Sequence, residues 1–251
     1  MITLVKQELR KVPGMTRLVH DVKRMMRGEP PLTPGTIYDE GVLTGLIGRE
    51  DPVILDIGCN DGADTLHLLS IFKAGHVYSF EPDPRARGRY LEKITDPRAR
   101  LFDMAISNVD GTAEFHASNG VNPTPDSGGY CSEGWDLSGS LRKPKKHIEE
   151  HPWCTFDKTF TVKTMKLDTW TKENGVDHID LIWADVQGAE ADLIAGGTEA
   201  LKKTRFIYTE YNNSELYEGQ ADLKTLLKLL SDFAVVHNYG NDVLLKNKHY
   251  A

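Results

Sequence analysis

The sequence predicts an α/β fold, a mostly parallel sheet covered by helices on both faces and closed by an antiparallel hairpin. Three observations predict it. Short apolar runs alternate with stretches of helical spacing over most of the chain. The first run, "VILDIG", opens into a glycine-rich turn, "GCNDG", followed by a helical stretch. The chain ends on "FAVVHNYGNDVLLK", two strand-like runs around a tight Gly-Asn-Asp turn.

Each element has its own reason. Residues 53–57 form a short apolar run of the kind buried in parallel sheets. Residues 64–72 carry Leu66, Leu69 and Phe72 at helical spacing. A second strand is expected over 77–80. A polar, basic helix follows over 84–94, with Pro84 tolerated at its first turn. Residues 101–106 read as a third strand and 179–184 as a fourth, with a helix over 189–203 after it. Residues 205–209 read as a fifth strand, and 221–230 as a helix with an apolar stripe. The terminal hairpin adds one antiparallel strand, and no internal repeat is visible.

One region breaks the alternation. Residues 118–158 are rich in Gly, Ser, Pro and Asn and lie between strand-like runs at 112–117 and 160–165. A loop of this length in a compact domain is commonly functional or mobile. It is read as a substrate lid, with a surface insertion as the alternative.

The 251 residues suffice for one well-filled core or two small ones. The division expected is a basic helical extension over 1–35 and a main domain over 36–251, with "GEPPLTPGT" as the turn-rich join. The extension, with Lys6, Arg10, Lys11 and apolar residues near helical spacing, suits a membrane surface or a partner; the alternative is a helix packed on the domain or on a second subunit of a homo-oligomer. A net charge of −7 argues against a nucleic-acid partner. No apolar run approaches the ~20 residues of a membrane span, and no secretion signal is apparent. Cys59, Cys131 and Cys154 are odd in number and share no metal-binding spacing, so a reducing, cytoplasmic setting is expected.

The glycine turn bears on the ligand. The dinucleotide fingerprint G-x-G-x-x-G uses its second glycine to admit a pyrophosphate. Here the turn is G-x-x-x-G, with Asn60 at that place, Asp56 ending the strand, and Asp61 and Asp64 close by. Carboxylates there repel a pyrophosphate and suit a cationic ligand without phosphate, as S-adenosylmethionine is. Glu81 ends the second strand, about 20 residues on, where an acidic residue accepts from ribose hydroxyls. Asp103, Met104 and Ala105 end the third strand where an adenine would lie, Met104 over the ring and Asp103 on its amine; core packing is the alternative for Met104.

If the strand order is 3-2-1-4-5, the fourth strand lies beside the first at the reversal of strand order, where such sheets bind ligands. Asp185 ends that strand and then faces the glycine turn, with a helix-capping role as the alternative. Glu190 reads as a favourable charge in the first turn of a helix. Glu210 ends the fifth strand on the same rim. Asp185 and Glu210 are the catalytic candidates: they orient an acceptor hydroxyl and take its proton, or hold a divalent cation that does so. "HIEEH" at 147–151 matches a zinc-peptidase pattern, but that pattern needs a stable helix, the motif follows "RKPKK" and is stopped by Pro152, and no third ligand is evident. His147 and His151 are instead candidate acceptor contacts on the lid, with solvated histidines as the alternative.

With these residues in place, the chain resembles the FkbM-family methyltransferases. "VILDIGCNDGADT", "VYSFEPDP", "AISNVDGTAEF", "SGSL", "VKTMKLDTW", "IDLIWADVQGAEADLIAGG" and "RFIYTEY" occur in the family's order, over roughly residues 50–245. The resemblance implies a seven-stranded Rossmann-like fold and S-adenosylmethionine-dependent methyl transfer, usually to oxygen. The family's acceptors are commonly sugar hydroxyls or polyketide-type natural products. By position it implies Asp56, Gly58, Asn60 and Gly62 as the methionine-moiety loop, with Cys59, Thr65 and Pro82 beside the cofactor, Glu81 as the ribose ligand and Asp185 as an active-site carboxylate. Ser140 in "SGSL" matches a position near cofactor or acceptor. Two residues depart from the pattern: Cys59 replaces a small residue such as alanine, and Gln187 replaces a common glutamate. The function expected is O-methylation of a sugar, a glycan or a glycosylated natural product. The alternatives are an NAD(P)-dependent oxidoreductase and a non-catalytic S-adenosylmethionine-binding protein, to which Gln187 gives slight support.

Overall fold

The computed structural model describes residues 29–123 and 134–250. The helical extension expected over 1–35 therefore lies outside the described residues up to residue 28, as do Cys131 and part of the expected lid.

The seven-stranded sheet is built from β1 (Val53–Ile57), β2 (His76–Phe80), β3 (Ala99–Phe102), β7 (Ile179–Ala184), β8 (Thr204–Glu210), β9 (Phe233–Asn238) and β10 (Asp242–Asn247). Its order is β3-β2-β1-β7-β8-β10-β9. β1 runs parallel to both β2 and β7, and β10 alone runs opposite to the other six strands of the sheet. The order therefore reverses between β1 and β7, as expected.

Alternate side chains of the central strands feed two cores. Ile54, Leu181 and Trp183 point to one face, against Leu43 and Ile47 of α1 (Glu40–Ile47) and Leu68 and Leu69 of α2 (Ala63–Ile71). Leu55, Ile57, Ile182 and Ala184 point to the other, against Leu167 and Trp170 of α5 (Leu167–Asn174) and Leu193 of α6 (Glu190–Gly196). Sheets buried on both faces produce such continuous apolar runs. Helix starts follow their local chemistry. Asp39 caps α1 through the amides of Gly41 and Val42. Asp83 caps α3 (Pro84–Lys93), with Pro84 in its first turn.

Four stretches differ from expectation. Residues 101–106 are not one strand: β3 ends at Phe102, and β4 (Ala105–Ser107) joins a separate sheet of order β4-β6-β5. The runs at 112–117 and 160–165 lie within its long strands, β5 (Gly111–Gly120) and β6 (Cys154–Lys166), which take in both ends of the expected lid. The helix over 189–203 is two, α6 and α7 (Thr198–Lys202). The chain breaks at Gly196, where a Cβ would overlap the carbonyl oxygen of Ser107, so close packing on β4 demands glycine. The turn-rich join is tied down: Thr33 N–H donates to Asn238 O at 2.7 Å and Asn238 Nδ2 donates to Pro30 O at 2.8 Å. The sequence pattern also gave no sign of α4 (His147–Glu150), and α8 (Leu223–Leu229) completes the set of named helices.

The start of α7 is capped from another helix. The Asp168 carboxylate accepts from Ala200 N at 2.7 Å, Glu199 N at 3.0 Å and Thr198 Oγ1 at 3.2 Å. Asp168→Ala should destabilise the protein by about 1 kcal/mol, the usual cost of a lost cap. A fall in Tm of about 2–4 °C by calorimetry is expected for a domain of this size; an unchanged Tm would show that water replaces the cap.

Candidate active site

The carboxyl ends of β1 and β7 meet at Gly58. Its φ is +84°, and a Cβ there would overlap the carbonyl oxygen of Asp185. Asp185 N–H donates to Ile57 O at 2.9 Å, which fixes the approach. Asn60, at φ 45°, continues the turn in the left-handed region that asparagine tolerates better than most residues.

The amides of this turn are spent internally. Gly58 N and Cys59 N donate to Phe80 O at 2.9 and 3.1 Å, and Gly62 N to Cys59 O at 2.8 Å. Asn60 N donates to Glu81 Oε2 at 2.9 Å, Asp61 N to Asn60 Oδ1 at 2.8 Å, and Ala63 N to Asp61 Oδ1 at 3.2 Å. A dinucleotide turn points such amides at its pyrophosphate. Here they already have partners, which counts against the NAD(P) alternative.

A first crevice opens over this turn. Gly58, Asn60, Glu81, Pro82, Ala105, Ser140 and Asp185 line it, so the structure gathers these expected residues into one place. Ile106, Phe115 and Leu141 supply an apolar portion, and Asp136 and Gln187 add polar groups. Glu81 is held from both sides: Oε2 accepts from Asn60 N and Oε1 from Asp83 N at 2.7 Å. Burial pushes its carboxyl up to about 8.

Other expected contacts lie off this lining. Asp56 turns into the core, where it accepts from Thr65 Oγ1 at 2.5 Å; Thr65 is bonded in turn to Ser79, and both Asp56 and Thr65 are buried. Cys59 packs with Tyr90 and Ile94, and those same side chains crowd Gly62. Asp103 points outward to an ion pair with Arg87 at 2.7 Å, and Met104 packs against the main core. Asp61 pairs with Lys93, and Asp64 accepts from the Trp183 indole at 3.2 Å. The physical reason is common to most of them: alternate residues of a strand and its turn face opposite ways.

A second crevice shares the wall formed by Leu137, Asp185 and Gln187. Glu210, His147, His151, Trp135, Tyr217 and Asn212 line its other sides. The two histidine rings stand 4.9 Å apart, and His147 also meets Phe156 at 5.2 Å and Tyr217 at 5.4 Å. His147 is buried, its Nδ1 has no hydrogen-bond partner, and burial lowers its pKa to about 4. It is therefore a neutral imidazole at pH 7.

Gln187 joins the crevices. Its φ is 49°, a strained value for a residue of this type. Ser140 Oγ donates to its carbonyl at 2.7 Å, and the Tyr217 hydroxyl lies 2.9 Å from Oε1. Its Nε2 donates to Asp185 Oδ1 at 2.6 Å and reaches Glu210 Oε2 at 3.4 Å. Burial raises the pKa of Asp185, and the charge of Asp185 together with burial raises that of Glu210. An amide thus fills the space where a cation between Asp185 and Glu210 would sit. No group of three metal-ligating side chains occurs among the described residues. Glu190, in the first turn of α6, is buried and accepts from Gly188 N at 3.2 Å, and burial pushes it up to about 7.

Sequence reasoning missed Asp136, Trp135 and Tyr217. All three come from loops, and only the unusual length of the inserted segment hinted at the first two.

The model of the methyltransferase FkbM domain matches residues 56–243. A 2-O-methyltransferase, NoeI, from Sinorhizobium fredii is 49% identical over 210 residues, covering 82% of this chain and 83% of that protein. A hexuronic acid methyltransferase, AglP, from Haloferax volcanii is 23% identical over 190 residues, covering 73% of this chain and 63% of that one. A crystal structure of a methyltransferase FkbM from Methylobacillus flagellatus aligns at a TM-score of 0.46 and 14% identity, over 78% of this chain and 44% of that one.

Two outcomes are expected from this geometry. Gly58→Ala should combine overpacking, about 1–3 kcal/mol, with left-handed backbone strain, about 1–2 kcal/mol. Urea unfolding should register the sum, and a loss under 1 kcal/mol would show that β7 yields easily. The second concerns His147. The unfolded chain protonates this group near pH 6.5, whereas the fold resists protonation down to about 4. The unfolded state therefore binds more protons in that window, and His147 destabilises the fold progressively as pH falls from about 6.5 to about 4. His147→Gln should flatten this part of the acid limb in urea midpoints measured against pH; parallel curves would refute the assignment.

Proposed function

The chain belongs to the FkbM methyltransferase family, and we propose that it moves a methyl group from S-adenosylmethionine to a sugar hydroxyl where its two crevices meet beside Asp185 and Gln187. The observation that carries this reading is the sharing of Asp185 and Gln187 by both crevices. The printed activities of the relatives, 2-O-methylation and hexuronic acid methylation, support a sugar acceptor.

The first crevice suits the donor. Glu81 takes ribose hydroxyls, the apolar lining at Ala105, Ile106 and Phe115 takes the base, and Gly58 and Asn60 lie along the methionine end. Buried carboxylates there favour a cation over a phosphate. The bound donor supplies an electrophilic methyl group on a sulfonium. The second crevice suits the acceptor, with His147 and His151 as hydroxyl contacts and the 134–153 part of the inserted segment as its cover. Asp185 takes the proton of the acceptor hydroxyl as the oxygen–methyl bond forms and the sulfur–methyl bond breaks. Gln187 holds Asp185 in place through its side-chain amide. Such base assistance contributes ~10²–10⁴-fold to a rate, the remainder coming from positioning in a closed site.

The cytoplasmic assignment is likewise a proposal. Cys59 and Cys154, the two described cysteines, are buried and unpaired, and no helix among the described residues is long and apolar enough to cross a membrane.

The test uses labelled S-adenosylmethionine and a panel of glycosides. Label should appear as a methyl ether on sugar oxygen. Asp185→Asn should bind S-adenosylhomocysteine within about threefold of wild type by calorimetry and lose at least ~100-fold in kcat. NAD should give no heat. Transfer at near wild-type rate by Asp185→Asn would remove Asp185 from the chemistry, and failure to bind S-adenosylhomocysteine would overturn the donor assignment.

A further inference from the structure

Asp136 enters the first crevice with one carboxylate oxygen committed and the other unused. The residue is 6% exposed. Its Oδ2 accepts from Arg89 at 2.7 Å, while Oδ1 is buried without a hydrogen-bond partner. Leaving a buried acceptor unsatisfied costs about 1–3 kcal/mol, more for a charged group. Something must therefore hold the carboxylate there, and the Arg89 contact is only part of it.

The backbone around it is independently anchored. Trp135 N donates to Gly120 O at 2.9 Å, and Ser138 N to Ser118 Oγ at 3.1 Å. Ser140 exchanges both backbone hydrogen bonds with His116, at 2.8 and 3.1 Å. Asn60 Nδ2 reaches Asp136 O at 3.4 Å, so the loop is joined to the glycine turn at this residue. Asn60 N in turn serves Glu81. Glu81 and Asp136 thus flank Asn60 on one crevice. Each Glu81 oxygen already accepts a main-chain N–H, which leaves one acceptor site on each.

We propose that Asp136 is a donor-binding residue whose Oδ1 accepts one hydroxyl of the donor's ribose, dividing the diol with Glu81. The proposal rests on the S-adenosylmethionine reading above. It also gives donor binding a route to the acceptor side. Trp135, Leu137 and Ser138, the neighbours of Asp136, line the second crevice, so a ribose contact at Asp136 steadies the wall against which the acceptor lies.

Asp136→Asn is the informative variant. Arg89 keeps the amide oxygen on its own side, which turns the NH₂ group toward the crevice and puts a donor where an acceptor stood. S-adenosylhomocysteine and adenosine should each lose about 10- to 100-fold in affinity by calorimetry, the range for a charge-assisted hydrogen bond. For 2′,3′-dideoxyadenosine, measured by competition, the variant and wild type should agree within about threefold. Thermal unfolding checks that the variant is folded. Asp136→Ser, which leaves the backbone anchors intact, should repeat the pattern and serves if the first variant does not fold. Unchanged S-adenosylhomocysteine affinity would overturn the proposal, because a purely structural Arg89 pair predicts that result. An equal loss for the dideoxy analogue, or a loss for S-adenosylhomocysteine alone, would also overturn it, the latter pointing to the ammonium. If wild type binds no S-adenosylhomocysteine, the donor reading itself fails.

Discussion

The contact between Gly58 and the carbonyl of Asp185 is the constraint on which the site depends. Two parallel strands ordinarily keep their chain ends apart at the sheet spacing. Here glycine alone lets the turn after β1 lie against the end of β7. That approach sets Asp185 beside Asn60 and Glu81 on one side. On the other side, Asp185 faces Glu210, His147 and Tyr217. The same residue thereby borders two crevices. Direct group transfer between two bound substrates requires that the crevices open into each other beside that residue, since reacting atoms must come within about 3–3.5 Å.

The chemistry where the crevices meet follows from how the polar groups there are satisfied. The glycine turn spends its amides on Phe80, Glu81 and its own side chains, so it is a rigid floor and not an anion cradle. Carboxylates fill the space instead. Burial raises Glu81 and Asp185, and the charge of Asp185 together with burial raises Glu210. A cationic ligand relieves both effects. Gln187 softens the second by donating to both carboxylates, and it does so from a left-handed backbone that Ser140 and Tyr217 hold in place. Strain concentrated at this residue is consistent with a site whose geometry is imposed by its surroundings.

Much of this was legible in the residues. The strand order, the terminal hairpin, the meeting of Asp185 with the glycine turn and the place of Glu81 all follow from apolar periodicity and from where each strand ends. These are local signals. Other features were not legible, for physical reasons. The split of residues 101–106 between two sheets depends on β6, which lies some 50 residues away. Asp56 and Thr65 satisfy each other inside the core, and no spacing rule separates that from a pair facing a ligand. Asp136 and Tyr217 reach the site from loops whose paths are fixed by tertiary hydrogen bonds. Gln187, by comparison with the family, gives slight support to a non-catalytic protein, yet in the structure it is the bridge between the carboxylates.

The central claim is that donor and acceptor bind in the two crevices that meet beside Asp185 and Gln187. A crystal structure with S-adenosylhomocysteine and a methylatable glycoside bound together tests it most directly. The two-crevice arrangement predicts the nucleoside beside Glu81, the sulfur directed at Asp185, and the acceptor hydroxyl on the Glu210 side in line with it. An acceptor bound elsewhere, or a sulfur directed away from Asp185, would contradict it.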